Sequence, residues 1–228
     1  IDYKTGAVTP LETPEDIISA IPELAGIANI KVRTIFQMAS DDVESFHWME
    51  LAKKIEDEIK TGVDGVIVTH GTDTMHYTSA ALSLMVQNSP IPILLVGSQR
   101  SSDRGSSDAA LNLLCAAQFI AKSDFSGVAI CMHGSSDDKF CHIHDGLHVR
   151  KMHTSRRDTF KTIDVLPYAK AEPDGTIEWL RKDYKKKDNK RKPHVVVRFD
   201  DRAALVKIYP GFDYRILEFY EKNGYRGI

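Results

Sequence analysis

The sequence predicts an α/β protein: a doubly wound, mainly parallel sheet carrying a β-hairpin, followed by the opening of a second, smaller α/β domain. Three observations carry this. Short apolar, β-branched runs at 30–36, 65–69, 91–96 and 128–132 alternate with stretches whose apolar residues recur at helical spacing. The first three runs end in turns that bear a hydroxyl, at Ser40, Thr72 and Ser98, and in such a sheet the carboxyl ends of parallel strands share one edge. Between two further strand-like runs, 140–144 and 147–151, stands Asp145–Gly146, a two-residue hairpin turn.

Taken in order, residues 1–14 are Thr-, Gly- and Pro-rich without a period and read as a loop; Tyr3 sits there without apolar company. Thr13, Pro14 and Gly26 bracket a short helix near 15–26 as N-cap, first residue and stop. After the strand at 30–36, Asp41-x-x-Glu44 reads as a capping box. It opens a helix with Val43, Phe46, Ala52, Ile55 and Ile59 on its apolar face and Gly62 at its end. The run 65–69 follows, and from Met75 the positions Met75, Ser79, Leu82 and Met85 set up the next helix. A polar turn, 97–107, separates the strand 91–96 from a helix over about 108–122 with Leu111, Leu114, Cys115 and Gln118 on one face. Beyond the hairpin comes a short strand after Pro173–Asp174–Gly175. The stretch 181–192 holds eight basic and two acidic residues and reads as a solvated loop. Strands at 195–199 and 204–208 and a helix at 213–223 complete the chain. The expected division is 1–200 and 201–228. Ile1 is no initiator, and 225–228 reads as a strand just starting, so the chain is expected to be an internal piece of a longer protein.

Composition sets outer limits. A hydrophobic fraction of 42% over 228 residues is that of a soluble globular protein, and a net charge of −2 argues against whole-surface nucleic-acid binding. No apolar run approaches the roughly 20 residues of a membrane span, and no signal peptide is present, so the expected location is cytoplasmic. Three cysteines without C-x-x-C spacing read as reduced thiols.

Chemistry concentrates at His70–Gly71–Thr72–Asp73–Thr74. Thr72 or Asp73 can cap the following helix, but four polar groups in five residues exceed what one cap needs. A threonine hydroxyl attacks a carbonyl only when a base takes its proton, and a lysine oriented by a carboxylate can do so. Lys151, after the hairpin, could fold back over the sheet edge; by spacing alone its default reading is an ordinary surface lysine. Cys131, His133, Cys141, His142, His144 and His148 cluster in sequence. Cys141 and His142, being adjacent, point to opposite faces of a strand, so packed thiols and hairpin histidines are expected and no metal site. Neither dinucleotide-binding nor P-loop glycine patterns occur.

At His70–Gly71–Thr72–Asp73–Thr74–Met75 the chain resembles the bacterial-type L-asparaginase family. Within that family, the turn Ser98–Gln99–Arg100–Ser101–Ser102–Asp103–Arg104 and the run Lys151–Met152–His153–Thr154–Ser155–Arg156–Arg157–Asp158 make it most similar to the D subunits of archaeal glutamyl-tRNA(Gln) amidotransferases. Stand-alone asparaginases more often read G-A-M-R at the first of these. Several expectations follow from the resemblance. Thr72, Asp73 and Lys151 match the family's Thr–Asp–Lys triad and Tyr3 its mobile-loop tyrosine. Ser40 and Asp41 match a substrate-holding pair, with Asp41 where asparaginases commonly carry glutamine. Gly71 and Ser98 fall on the same ligand edge. The implied reaction is hydrolysis of glutamine or asparagine through a threonine acyl-enzyme. The first nucleophile would lie in a T-G-G-T-I motif ahead of Ile1, so this stretch alone is expected to be inactive. No cofactor is expected here; ATP and Mg belong to the amidotransferase's E-type partner. A homodimer and tRNA(Gln), met through the complex, are the other implied partners. The alternatives are a stand-alone L-asparaginase and a non-enzymatic scaffold that binds an amino acid or a partner.

Overall fold

The computed structural model describes residues 19, 21–100 and 106–228. Its elements in chain order are α1 (Ser45–Lys60), β1 (Val66–Thr69), α2 (Met75–Met85), β2 (Val86–Gln87), β3 (Pro92–Val96), α3 (Ala109–Lys122) and β4 (Phe125–His133). They continue with β5 (Cys141–Asp145), β6 (Val149–Lys151), β7 (Phe160–Thr162), β8 (Ala169–Ala171), β9 (Ile177–Trp179), β10 (Lys185–Lys186), β11 (His194–Val195) and α4 (Arg215–Lys222).

Seven strands form one mixed sheet in the order β1-β3-β4-β5-β8-β9, with β10 beside β4. β1, β3 and β4 run parallel through helical crossovers, whereas β5, β8 and β9 extend the sheet antiparallel. Side chains alternate across the central strands and build two cores. Leu94, Val96, Ala129 and Cys131 pack with Cys115, Ala116 and Phe119 of α3 on one face. Ile93, Leu95, Val128, Ile130 and Met132 pack with Ala52, Ile55, Met75, Leu82 and Met85 of α1 and α2 on the other. That double coverage is why β3 is a continuous apolar run, fully buried along its length. The doubly wound α/β class is therefore the one the sequence predicts.

Several elements differ from expectation, each for a local reason. Residues 30–36 form no strand; Ile30 and Phe36 are exposed, and Arg33 is tied to Glu58 of α1 at 2.6 Å instead of entering a ladder. Asp41 does not cap α1. Ser40–Asp42 is a single 3₁₀ turn, and the capping box is Glu44 with His47, whose Nδ1 accepts the Glu44 N–H at 3.0 Å. The Asp145–Gly146 turn does not pair the strands on either side of it. Both edges of β5 are already taken by β4 and β8, so β6 makes its hairpin with β7. The Asp145 carboxylate instead accepts the Leu147 N–H at 3.0 Å, a side-chain turn that redirects the chain. The basic stretch 181–192 is laced to the body rather than free. β10 pairs with the start of β4, and Arg191 donates to Ser89 O at 3.1 Å and Ser126 Oγ at 2.9 Å. Of the expected 195–199 strand only Val195 pairs, joined by His194 before it, and 204–208 forms no ladder. A single parallel bridge, Ala203 to Gly227, flanks α4.

Candidate active site

The site is built where β1 and β3 end. His70 N donates to Val96 O at 2.9 Å, carrying the ladder one residue past β1 before the chain turns. Glycine is required on both sides of that turn. A Cβ on Gly71 would lie 2.7 Å from Ser40 Cβ, and one on Gly97 would lie 2.7 Å from His70 O and 2.9 Å from Thr72 Cγ2. Absence of both side chains lets the 71–74 turn wedge between the Ser40 turn and the turn after β3. Thr74 Oγ1 then donates to Ser40 O at 2.6 Å and locks the wedge.

Lys151, the last residue of β6, reaches across 79 positions of sequence to this turn. Its Nζ lies 2.9 Å from Thr72 Oγ1 and 2.7 Å from Asp73 Oδ1. The Lys151 side chain is 9% exposed and that of Asp73 is 64% exposed, so the amine sits under the rim and the acid upon it. An ion pair with one partner so open to water adds little to stability; its value lies in aiming the amine at the hydroxyl.

Thr72 itself is buried, and its hydroxyl donates to Gln99 Oε1 at 2.7 Å. Gln99 Nε2 donates to the carbonyls of Arg156 (2.8 Å) and Thr154 (3.5 Å). The loop bearing those carbonyls is fixed in turn. His153 N donates to Thr159 Oγ1 at 2.7 Å, and the Arg156 guanidinium grips Asp158 at 2.9 and 3.0 Å. Arg156 and Lys161 hold the Asp158 carboxyl well below the usual carboxylate range.

His70 supports the turn from behind. Its Nδ1 faces Gly71 O at 2.7 Å, an atom that only accepts, so Nδ1 carries the proton and Nε2 accepts from Thr78 Oγ1 at 2.9 Å. Trp48 Nε1 of α1 donates to the same hydroxyl at 2.9 Å. Burial lowers the His70 pKa and keeps the ring neutral. His76 on α2 is likewise lowered, first by burial and then by Arg150 and Lys151.

Of the sequence candidates, Thr72, Asp73, Lys151 and Gly71 stand together. Ser40 is buried beside Gly71, with its carbonyl used by Thr74, while Asp41 is exposed on the short turn. Ser98 is turned inward: its hydroxyl donates to Asp108 Oδ1 at 3.0 Å. Tyr3 lies outside the described residues. Among the described residues no group of three or more His, Cys, Asp or Glu is placed to hold a metal. The three cysteines are free and buried. Burial raises the thiols of Cys131 and Cys141, and Cys141 Sγ rests on Asn112 Oδ1 at 3.1 Å.

Sequence reasoning missed Gln99 and Asp108. Asp108 is fully buried and takes the N–H groups of Gln99 (3.1 Å) and Arg100 (2.9 Å), which shapes the turn that presents Gln99. Its position directly before a helix was the available signal.

A hydroxyl, an acid and an amine gathered at the carboxyl edge of a parallel sheet define a class of α/β protein whose site is equipped to move a proton at a threonine. The family model "Asparaginase, N-terminal" matches residues 1–185. The chain belongs to the asparaginase family. Over all 228 residues it is 48% identical to the D subunit of the glutamyl-tRNA(Gln) amidotransferase of Methanothermobacter thermautotrophicus and 49% identical to that of Thermococcus kodakarensis. It covers 52% and 51% of those proteins, so the chain spans about half the length of these curated relatives. Among solved structures, the thermostable L-asparaginase of Thermococcus kodakarensis superposes with a TM-score of 0.78 at 27% identity, over 95% of this chain and 64% of that one. A probable cytoplasmic L-asparaginase of Campylobacter jejuni gives 0.65 at 30% identity, over 72% of this chain and 51% of that one.

Proposed function

We propose that this chain is the amide-hydrolysing part of an amidotransferase subunit that frees ammonia from glutamine, or asparagine, for tRNA-dependent conversion of Glu-tRNA(Gln) to Gln-tRNA(Gln). The observation that carries the reading is Lys151 Nζ within hydrogen-bond reach of both Thr72 Oγ1 and Asp73 Oδ1. A threonine from a part of the relatives' length that this chain does not cover, assisted by Tyr3, attacks the side-chain amide carbon; backbone N–H groups of the Gly71–Thr72 turn steady the oxyanion. The hydroxyl's O–H bond and the amide's C–N bond break, the leaving nitrogen takes the proton the hydroxyl gave up, and ammonia departs from an acyl-enzyme. Thr72, with Lys151 and Asp73, then draws a proton from the water that hydrolyses the ester. In this reading Ser40 and Asp41 take part in holding the substrate, and Ser98, turned onto Asp108, shapes the turn behind it.

The relatives' names, D subunits of a glutamyl-tRNA(Gln) amidotransferase, support work within a complex of further subunits that acts on tRNA. Beyond those names, we propose an E-type partner that uses ATP and Mg to activate the glutamate on tRNA(Gln), homodimeric D-type chains and a cytoplasmic location. Residues 1–200 form the first domain in this reading, and 201–228 begin a second whose remainder lies in the uncovered half of the relatives. In this reading the amide-hydrolysing site needs no cofactor of its own.

Lys151→Met in the full-length protein tests the core of the reading. Ammonia release should fall by at least about 10²–10⁴, while the melting temperature stays near that of the wild type, because Asp73 is largely exposed. Retained turnover refutes the assignment of Lys151. Dependence of turnover on the partner and tRNA separates the amidotransferase from a stand-alone asparaginase.

A further inference from the structure

We propose that Gln99 is a positioning residue that holds the Thr72 hydroxyl proton away from Lys151, and that this latch is set by the backbone of residues 154–156. The inference rests on the proposed role of the Thr72–Lys151 pair. Its logic runs inward from atoms that have one hydrogen-bonding role only. The carbonyls of Thr154 and Arg156 accept and never donate, so the Gln99 atom facing them is the Nε2 amide donor. The atom facing Thr72 at 2.7 Å is therefore Oε1, an acceptor without a proton. Thr72 has a single hydroxyl proton, and it must go to Gln99. The contact between Lys151 Nζ and Thr72 Oγ1 at 2.9 Å is then an N–H donated by the lysine, whatever its charge.

This arrangement is the reverse of what proton abstraction needs. For Lys151 to act as base, the Thr72 O–H must swing from Gln99 Oε1 to the neutral Nζ. The O–H bond then breaks and an N–H bond forms, leaving an ammonium beside Asp73. A carboxamide oxygen cannot take that proton itself, so Gln99 competes with the reaction as long as its amide is pinned. Release follows if the 154–156 segment shifts, because its two carbonyls are the contacts that orient the Gln99 amide. That segment is bounded by His153 and by the Arg156–Asp158 pair, the latter exposed on its arginine side. Among the described residues, the charged or titratable groups that interact with Lys151 or share its surroundings include Asp73 on the turn, His76 on α2 and Arg150 on its own strand. The hydrogen bonds of the Thr72 hydroxyl go to Gln99 and Lys151.

The test uses two substitutions of opposite sign in the full-length protein with its partners, read as ammonia release from glutamine against pH. Gln99→Met keeps length and bulk but removes the acceptor. The rising limb of its profile should move to lower pH, with turnover on that limb raised about fivefold, the factor that one ordinary hydrogen bond represents. Gln99→Glu gives up the amide donor to the Thr154 and Arg156 carbonyls but keeps an acceptor, now charged, beside the Thr72–Lys151 pair; the charge favours the ammonium, and its limb should move to higher pH. A purely structural role would lower kcat in both variants without moving either limb, and that result overturns the proposal. If the wild-type protein releases no ammonia, the functional reading fails separately. The Lys151 Nζ resonance followed against pH by NMR in the three proteins then decides the latch. Displacement in opposite directions supports it, and three coincident curves overturn it.

Discussion

Asp108→Asn is the sharpest probe of how the site is built, because the substitution preserves shape and changes only donor and acceptor roles. The native carboxylate, fully buried, takes four hydrogen bonds. Oδ1 receives Ser98 Oγ (3.0 Å) and Arg100 N–H (2.9 Å). Oδ2 receives Gln99 N–H (3.1 Å) and Asn112 Nδ2 (3.2 Å). An asparagine has one oxygen, so its NH₂ must face one of these donor pairs. The less costly orientation puts NH₂ toward Ser98 and Arg100, since Arg100 is exposed to water and the Ser98 hydroxyl can rotate to accept. Even so, the Arg100 N–H loses its partner and the remaining bonds lose their charge assistance. Unmade buried bonds of this kind cost about 1–3 kcal/mol each, and partial rescue by water leaves a net loss of about 2–3 kcal/mol. In a chain of this size each kcal/mol moves the melting temperature by about 2–4 °C, so calorimetry should show a fall of about 4–12 °C. A melting temperature within a degree of the wild type would refute the claim that Asp108 organises the turn.

Two further outcomes follow. Gly97→Ala places a methyl group 2.7 Å from His70 O and 2.9 Å from Thr72 Cγ2, where neither the backbone nor a β-branched side chain can yield freely; unfolding by urea should show a loss of about 1–3 kcal/mol. Turnover should fall about tenfold or more, and normal turnover would remove the need for glycine there. Acid sensitivity comes most strongly from β5, with His70 and His76 adding in the same direction. Burial pushes His142 down to about 4 and His144 well below its ordinary value. The unfolded chain takes up both protons near pH 6.5 and the folded chain does not, so stability is lost as pH falls from about 6.5 toward 4. Melting temperatures measured across that range should decline and His144→Gln should flatten the decline, whereas a level wild-type curve contradicts the assignment.

The parts of the fold that could be read from the sequence are those governed by burial on two faces. Pro92–Val96 and Phe125–His133 announce themselves because a strand covered by helices on both sides has few polar positions to spare, whereas Val66–Thr69, at the sheet's edge and only half-buried, is legible from its β-branched run alone. Pairing was harder to foresee where it depended on which edge was vacant. Asp145–Gly146 has the composition of a hairpin turn, yet β8 arrives from far along the chain to claim the edge of β5. The 30–36 run has strand composition but no ladder, and composition cannot reveal a missing neighbour. At the site, Thr72, Asp73 and Lys151 were named from their chemistry and from a family likeness. Gln99 was not, because a carboxamide gains its role only from the carbonyls of Thr154 and Arg156, and no local pattern joins positions so far apart. The same holds for Trp48 and Thr78, which buttress His70 from two different helices.

The short strand β10 has a consequence for solubility. β5 covers β4 only from Ala129 onward, and the beginning of β4 would present bare backbone to any passing chain were Lys185 and Lys186 not paired with Ser126 and Phe125. A hem of lysines is an effective stopper, since a stranger approaching it must bring its own backbone past several like charges. Proteolytic nicking just after this hem should leave the 71–74 turn untouched and yet turn a well-behaved protein into one that associates along its seam.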